Sequence, residues 1–278
     1  MAVTHDESLA LAPRTGRSPR RRARTARGVQ YAVLIVALAA VGAVTDWSRI
    51  GTSFFNPTAA SQIMHQLPTG IRNTVLYTLA AFVVGLSLGT LLALMKLSSV
   101  RPYRWIATTY IEFFRGIPAL LVVVAFGFAV PIAFGVNIGS LLVKIALALG
   151  LVSAAYIAET LRAGIQAVPR GQIEAARSLG MSHTRTLMTV VVPQAFRIVL
   201  PPMTNEFILL TKDTSLVFLL GLKPAQVDLT YIGRDALNKA TGGLTGLFVV
   251  GAAYLVITIP LGFLARWLER RTGGGHRP

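Results

Sequence analysis

The stretch Gln172-Ile173-Glu174-Ala175-Ala176-Arg177-Ser178-Leu179-Gly180, followed by Val190-Val191-Val192-Pro193, decides how this chain is read. It is polar, basic and helix-forming, yet it lies between two strongly apolar segments. Pro169-Arg170-Gly171 breaks the chain ahead of it. Gln172 to Leu179 are good helix formers, Glu174 falls in the first turn where the helix dipole favours an acid, and Gly180 suits a C-terminal stop. Ser182 is placed to cap a second helix that leads through Leu187 and Val190 to Pro193. Two short helices at an angle, exposing Ile173, Ala176 and Leu179, form either a knob for a partner's cleft or an amphipathic surface helix on the bilayer.

The flanks of this loop are apolar enough to cross a membrane. The 278 residues are 53% hydrophobic and 14% charged, with a mean hydropathy of +0.61, whereas soluble domains carry about a quarter charged residues. Six segments approach the roughly 20 apolar residues that span the hydrocarbon core: 29–45, 73–95, 117–136, 138–160, 199–221 and 243–265. The expected fold is all-α and integral to the membrane, with about six transmembrane helices. Residues 1–28 read as a basic, disordered arm, 46–69 as an extracytoplasmic connection and 269–278 as a tail.

The net charge of +16 would suggest nucleic acid in a soluble protein. Here the cations sit between apolar runs. Twenty of the 27 basic residues fall on alternate connections: the arm before the first span, the stretch from Lys96 to Arg115, the 161–198 loop, and the tail. The positive-inside rule therefore puts the loop and both termini in the cytoplasm. On the opposite side stand Arg49, Arg72, Lys223, Arg234 and Lys239, partly offset by Asp46, Asp228 and Asp235. The arm and first apolar run also fit a signal peptide ending at Val41-Gly42-Ala43. The interface-type residues Trp47, Phe54 and Phe55 favour a retained span, and cleavage would leave the loop inside in either case.

Several motifs are excluded. Gly85-Leu86-Ser87-Leu88-Gly89 has the spacing of a nucleophile elbow, but it lies within an apolar run, where the two glycines suit close helix packing. The four histidines are scattered without metal-ligand spacing, and there is no cysteine. No Gly-Lys dipeptide occurs, so there is no P-loop and no ATP hydrolysis by that route.

Ionisable residues at membrane depth face a cavity or one another. Asn205, Glu206, Thr211, Asp213 and Ser215 are the candidates for lining a translocation path, with Lys212 and Asp213 also suited to tying helices together. Glu112, Arg115, Glu159 and Arg162 lie at the expected cytoplasmic ends of the third and fourth spans. Their three-residue spacing allows each acid to pair with the following arginine along one helix face. They read as interface charges, with an inner gate as the functional alternative. Lys144, near the outer end of the fourth span, can snorkel outward.

The Glu-Ala-Ala, Gly180 and Pro193 spacing resembles the EAA loop of bacterial ABC importer permeases, with Val190 and Val192 where that family usually has Ile and Leu. Asn73-Thr74-Val75, Glu112-Phe113-Phe114-Arg115-Gly116-Ile117-Pro118, Tyr156-Ile157-Ala158-Glu159-Thr160-Leu161-Arg162-Ala163-Gly164 and Lys212-Asp213-Thr214-Ser215-Leu216 resemble its polar amino acid branch, the histidine/glutamine/glutamate/arginine type. The resemblance covers about residues 70–268 and implies a five-helix permease core with an extra N-terminal span, in a bacterial cytoplasmic membrane. It implies coupling to an ATPase through Glu174, Ala175, Ala176, Gly180 and Pro193. It also implies two ATP-binding subunits carrying the ATP and magnesium, a second permease subunit, and an extracytoplasmic substrate-binding protein. This chain would then be no enzyme and hold no cofactor or metal. The rivals are a permease for another small polar solute and an ion-coupled secondary transporter using Glu206 and Asp213.

Overall fold

The computed structural model describes residues 19–136, 138–239 and 243–272. Every regular element among them is helical: α1 (Pro19–Val44), α2 (Trp47–Phe54), α3 (Pro57–Met64), α4 (Leu67–Leu97), α5 (Arg101–Gly116), α6 (Ala119–Val124), α7 (Val130–Phe134), α8 (Leu141–Gln166), α9 (Arg170–Ser178), α10 (His183–Thr186), α11 (Val192–Asp213), α12 (Leu229–Asn238) and α13 (Thr245–Thr272). Two π turns, Ala125–Ala129 and Leu187–Val191, and two 3-10 segments, Thr214–Leu220 and Pro224–Gln226, complete the chain. It divides into two compact units, Met1–Ile50 and Gly51–Pro278.

The first unit holds α1, of which Ala26–Val44 is long and apolar enough to cross a membrane. Helix begins at Pro19, within the arm expected to be disordered. Proline suits a first helical position, because it lacks an N–H that would be unpaired there, and the Arg and Ala that follow are strong helix formers. Residues 1–18 of the arm and 273–278 of the tail lie outside the described residues. Trp47 Nε1 donates to the Gly42 carbonyl at 2.8 Å across the end of α1. The Ser48 hydroxyl and the Arg49 amide donate to Asp46 and hold its carboxyl below the ordinary carboxylate range.

In the second unit, α4 and α8 make the most extensive helix pair. The buried face of α4 recurs every three or four residues: Asn73, Tyr77, Ala81, Gly85, Gly89, Leu92. Glycine there is a matter of space. A Cβ on Gly85 would overlap Ser153 Oγ, and one on Gly89 would lie 2.8 Å from Ile157 Cγ2 and 2.9 Å from the Ala154 carbonyl. The expected close packing of this glycine pair is present. It also fixes direction, since positions rise together along both helices and α4 and α8 therefore run parallel.

The expected third span takes a different form. Arg101–Gly116 and Ala119–Phe134 meet at Ile117-Pro118 with a bend of 100°. The residue before proline is driven out of helical geometry, and Ile117 has the extended angles φ −100° and ψ 136°. Neither arm alone qualifies as a span. Among the described residues five helices are long and apolar enough to cross a membrane, or six if the bent pair is one span.

The fifth expected span, 199–221, corresponds to the C-terminal part of a longer element, His183–Leu220. It runs from α10 through the π turn 187–191 and α11 into 3-10 geometry. Pro193 stands second in α11, and Pro201 and Pro202 lie within it. Each removes an N–H donor and so loosens the helix locally.

Away from the 161–198 loop, α12 is capped by Asp228, which is fully buried and accepts from the Thr230 and Tyr231 amides at 3.0 and 3.1 Å. Burial pushes its carboxyl up to about 6, and the amide hydrogen bonds oppose that rise. Phe54 packs edge-on against Phe248 of α13, with ring centroids 4.9 Å apart.

Candidate functional site

The 161–198 loop departs from the sequence expectation in which face it shows. Helix α9 closes with Gly180 at φ 80°, where the Met181 amide donates to Ala176 O at 3.2 Å and the Gly180 amide to Arg177 O at 3.0 Å. This is the Schellman pattern, and it requires a residue that tolerates the left-handed region. Ser182 accepts from the Arg185 amide at 3.3 Å, capping α10 as its position suggests. The expected exposed stripe is not the outer one. Ala176 is buried and Ile173 half-buried against Val168, Val191 and Ala195, while Leu179 is 83% exposed. An i, i+3 apolar pair on so short a helix is needed to attach it. Ala176 thus belongs to the attachment, and Glu174, Ala175, Leu179 and Gly180 form the outward surface.

The second helix of the loop is not separate. From α10 the chain enters the π turn, in which the Val192 amide reaches back to Leu187 O, and continues as α11. Pro193 is exposed just beyond that turn. Thr186, in α10, is buried with a hydroxyl that has no hydrogen-bond partner among the described residues.

Further along α11 lies a cavity of about 300 Å³, lined by Glu206, Leu209, Leu210 and Asp213 with Val152, Ser153 and Tyr156 of α8 and Ile117 and Ala119 at the bend. It unites two of the path candidates and excludes others. Thr211 is buried and its hydroxyl donates to Phe207 O of its own helix at 2.8 Å, so it does not line the space. Asn205 is exposed, and neither it nor Ser215 is part of the lining. Ser153 and Tyr156 line the cavity at i, i+3 spacing within the apolar stretch Ile145–Ala158 of α8, and the Ser153 hydroxyl itself donates to Gly150 O at 3.2 Å. That spacing is the signal that would have found them.

The four gate candidates do not form one cluster. Glu159 accepts from Arg162 Nη2 at 2.7 Å, the expected i, i+3 pair, and also from Lys96 Nζ at 2.6 Å. The second bond crosses from α8 to α4 and is invisible to local spacing. All three side chains are 19–29% exposed, enough water to moderate the pair's strength. Glu112 and Arg115 are both exposed on α5 and do not form the expected pair. Instead the Arg115 guanidinium lies over the Tyr156 ring, 5.7 Å from its centroid, at the edge of the cavity.

Comparison with known proteins bears on this arrangement. Residues 85–274 match the family described as binding-protein-dependent transport system inner membrane component. The chain belongs to that family. It is 37% identical over 203 residues to the probable glutamine ABC transporter permease protein GlnM of Bacillus subtilis, covering 73% of this chain and 91% of that one. To the glutamate/aspartate import permease protein GltK of Escherichia coli O6:H1 it is 36% identical over 235 residues, covering 82% and 98%. Among solved structures, an amino acid ABC transporter crystallised with histidines superposes with a TM-score of 0.70 at 35% identity, covering 77% and 97% of the two chains. These relatives favour an ABC permease over an ion-coupled carrier, and the chain is a membrane-embedded permease subunit of an ABC importer.

Proposed function

We propose that this permease moves a polar amino acid inward across the cytoplasmic membrane, driven by a separate ATPase. The observation that carries the reading is the continuity of His183–Leu220. One helical element begins at the exposed loop and ends beside the cavity, so Glu206 and Asp213 ride on the strut that starts at α10. An amino acid brings an ammonium group and a carboxylate. The cavity offers two carboxylates, and Arg115 stands at its edge as a cation for the other end. Its volume is at the small end of small-molecule sites, which begin at roughly 300 Å³. Relatives named for glutamine, glutamate/aspartate and arginine support the same substrate class.

The permease domain spans about 70–268, with α1 added before it. The basic excess on alternate connections favours a cytoplasmic loop and cytoplasmic termini. Two ATP-binding subunits dock on Glu174, Ala175 and Gly180 and hold the ATP and magnesium. A second permease subunit completes the membrane part, and an extracytoplasmic protein delivers the substrate; nucleic acid has no role. Closure of the motor subunits prefers one of two permease conformations. The strut, with Pro193 at its first yielding point, carries that preference to the cavity. Glu159, Arg162 and Lys96 tie α4 to α8 at the inner end.

Reconstituted vesicles with the partner subunits test the reading. Removing one charge-assisted contact costs about 1.5–3 kcal/mol, so uptake by Asp213→Asn is expected to fall at least about tenfold. Uptake at the unaltered rate by both Asp213→Asn and Glu206→Gln would remove the cavity from the path.

A further inference from the structure

Asp213 lines the cavity, yet its carboxylate accepts no hydrogen bond among the described residues, and the adjacent Lys212 is exposed. The direction of the carboxylate is therefore set by the backbone that carries it. That backbone changes form at this point: α11 ends at Asp213, and Thr214 opens the 3-10 segment Thr214–Leu220. Thr214 is fully buried. Its amide donates to the Leu210 carbonyl, and its hydroxyl donates to the Thr211 carbonyl at 2.7 Å. A threonine hydroxyl that bonds back to the preceding turn bends the helix that carries it. The transition beside the cavity acid thus has a local cause in Thr214.

Thr214 in turn belongs to a cluster of polar groups inside apolar packing. The Tyr254 hydroxyl of α13 shares a hydrogen bond with Thr230 Oγ1 of α12 at 2.9 Å, and interacts more weakly with the hydroxyls of Thr214 and Thr74. Thr74 of α4 is also fully buried and accepts from the Leu229 amide at 3.3 Å. The Tyr254 side chain packs against the main hydrophobic core. One phenolic oxygen on α13 therefore meets side chains of α4, α12 and the 3-10 segment. Buried polar groups joined in this way fix one arrangement of their elements, because another arrangement leaves a group unpaired. Neither the cavity lining nor the ion pairs of Glu159 use this cluster.

We propose that Tyr254 is a positioning residue for transport: its hydroxyl anchors Thr214, and so holds the backbone that aims the Asp213 carboxylate into the cavity. The inference rests on the importer reading above, in which that carboxylate meets the ammonium group of the substrate. Tyr254 itself touches no substrate, since it lies outside the cavity lining.

The chain has no cysteine, so Asp213→Cys and Glu206→Cys each give the permease a single thiol at the cavity. The test measures how fast a charged methanethiosulfonate reagent modifies that thiol in the complete transporter, followed by the mass of the permease. With Tyr254→Phe added, which keeps the ring and removes the hydroxyl, the rate at Asp213→Cys is expected to fall at least about fivefold. The rate at Glu206→Cys, about two turns earlier on α11, is expected to stay within about twofold. Thr214→Val, which removes the other end of the contact, is expected to do the same. Equal rates at Asp213→Cys with and without these changes overturn the inference. An equal change at both labelled positions also overturns it, because the cluster then only holds the bundle together. ATP-dependent uptake by vesicles separates the inference from the reading beneath it: Tyr254→Phe is expected to slow uptake about fivefold, and to cause no further loss once Asp213→Asn is present. Independent losses in the two variants overturn the inference alone. Uptake at the unaltered rate by both Asp213→Asn and Glu206→Gln overturns the cavity reading, whatever the labelling shows.

Discussion

Between Leu67 and Leu97, and again between Leu141 and Gln166, the chain runs as unbroken α-helix, whereas from His183 to Leu220 it passes through α, π, α and 3-10 geometry in turn. The two α-helices press together so closely that Gly85 and Gly89 have no room for a side chain. The strut has prolines at 193, 201 and 202 and meets α8 across a cavity. A bilayer offers no water to repair a broken backbone bond, so helices yield where a donor is already missing. The contrast assigns rigidity to the α4–α8 seam and compliance to α10–α11, as the proposed coupling from α9 to Asp213 requires.

The seam is the easiest part of this contrast to break. Gly89→Leu drives four carbon atoms into Ile157 and the Ala154 backbone. Overpacking of a filled core costs about 1–3 kcal/mol, and more where the obstacle is backbone. Detergent-solubilised Gly89→Leu is expected to lose the monodisperse gel-filtration peak of the unaltered chain, while Gly51→Leu, with open space around it, keeps it. A folded Gly89→Leu of unchanged stability would mean the seam is not the rigid member.

Asp228 sharpens the comparison at the end of the second unit away from the 161–198 loop, where the strut's connection meets α12. Its carboxyl is raised from 3.8 to about 6 chiefly by burial. The protonated form is favoured in the folded chain, so the stability it contributes is full below 3.8 and is lost as pH rises through about 6. Thermal unfolding midpoints measured across that interval should fall for the unaltered chain and stay flatter for Asp228→Asn. The difference should be on the order of 3 kcal/mol. Parallel pH profiles for the two would place the carboxyl at an ordinary value.

The smallest effect is expected in α10. The Thr186 hydroxyl is buried without a partner among the described residues, and removing an unsatisfied buried polar group is neutral or stabilising by about 1 kcal/mol. Thr186→Val should unfold at the same temperature as the unaltered chain or slightly higher. A clear loss of stability would reveal a bond to that hydroxyl and a stiffer root for the strut.

Much of this was legible in the residues because it depends on local chemistry. Gly180 stops α9, Ser182 caps α10, Glu159 pairs with Arg162, and the 85/89 glycines sit at a seam. What escaped depends on distant parts of the chain. Lys96 and Glu159 are 63 positions apart, and no periodicity joins them. The inward turn of Ile173 follows from Val168, Val191 and Ala195, which lie under it and are up to 22 positions away. Thr211 looked like a path residue because a hydroxyl in an apolar run is conspicuous, yet a threonine can satisfy itself on its own helix. The 117–136 run had the length of a span, and Pro118 turned it into half of a bent pair.

The central claim is that movement imposed at the exposed surface of α9 drives the cavity through the strut. Gly180 has open space where a side chain would go, and only its φ of 80° resists substitution, at about 1–2 kcal/mol for a non-glycine residue. Gly180→Trp should therefore leave insertion and thermal stability nearly intact while covering the proposed docking surface. The direct measurement is ATP-dependent amino acid uptake by vesicles containing the complete transporter with this substitution. The account predicts uptake at background level from a normally inserted permease. Uptake at the unaltered rate would contradict it.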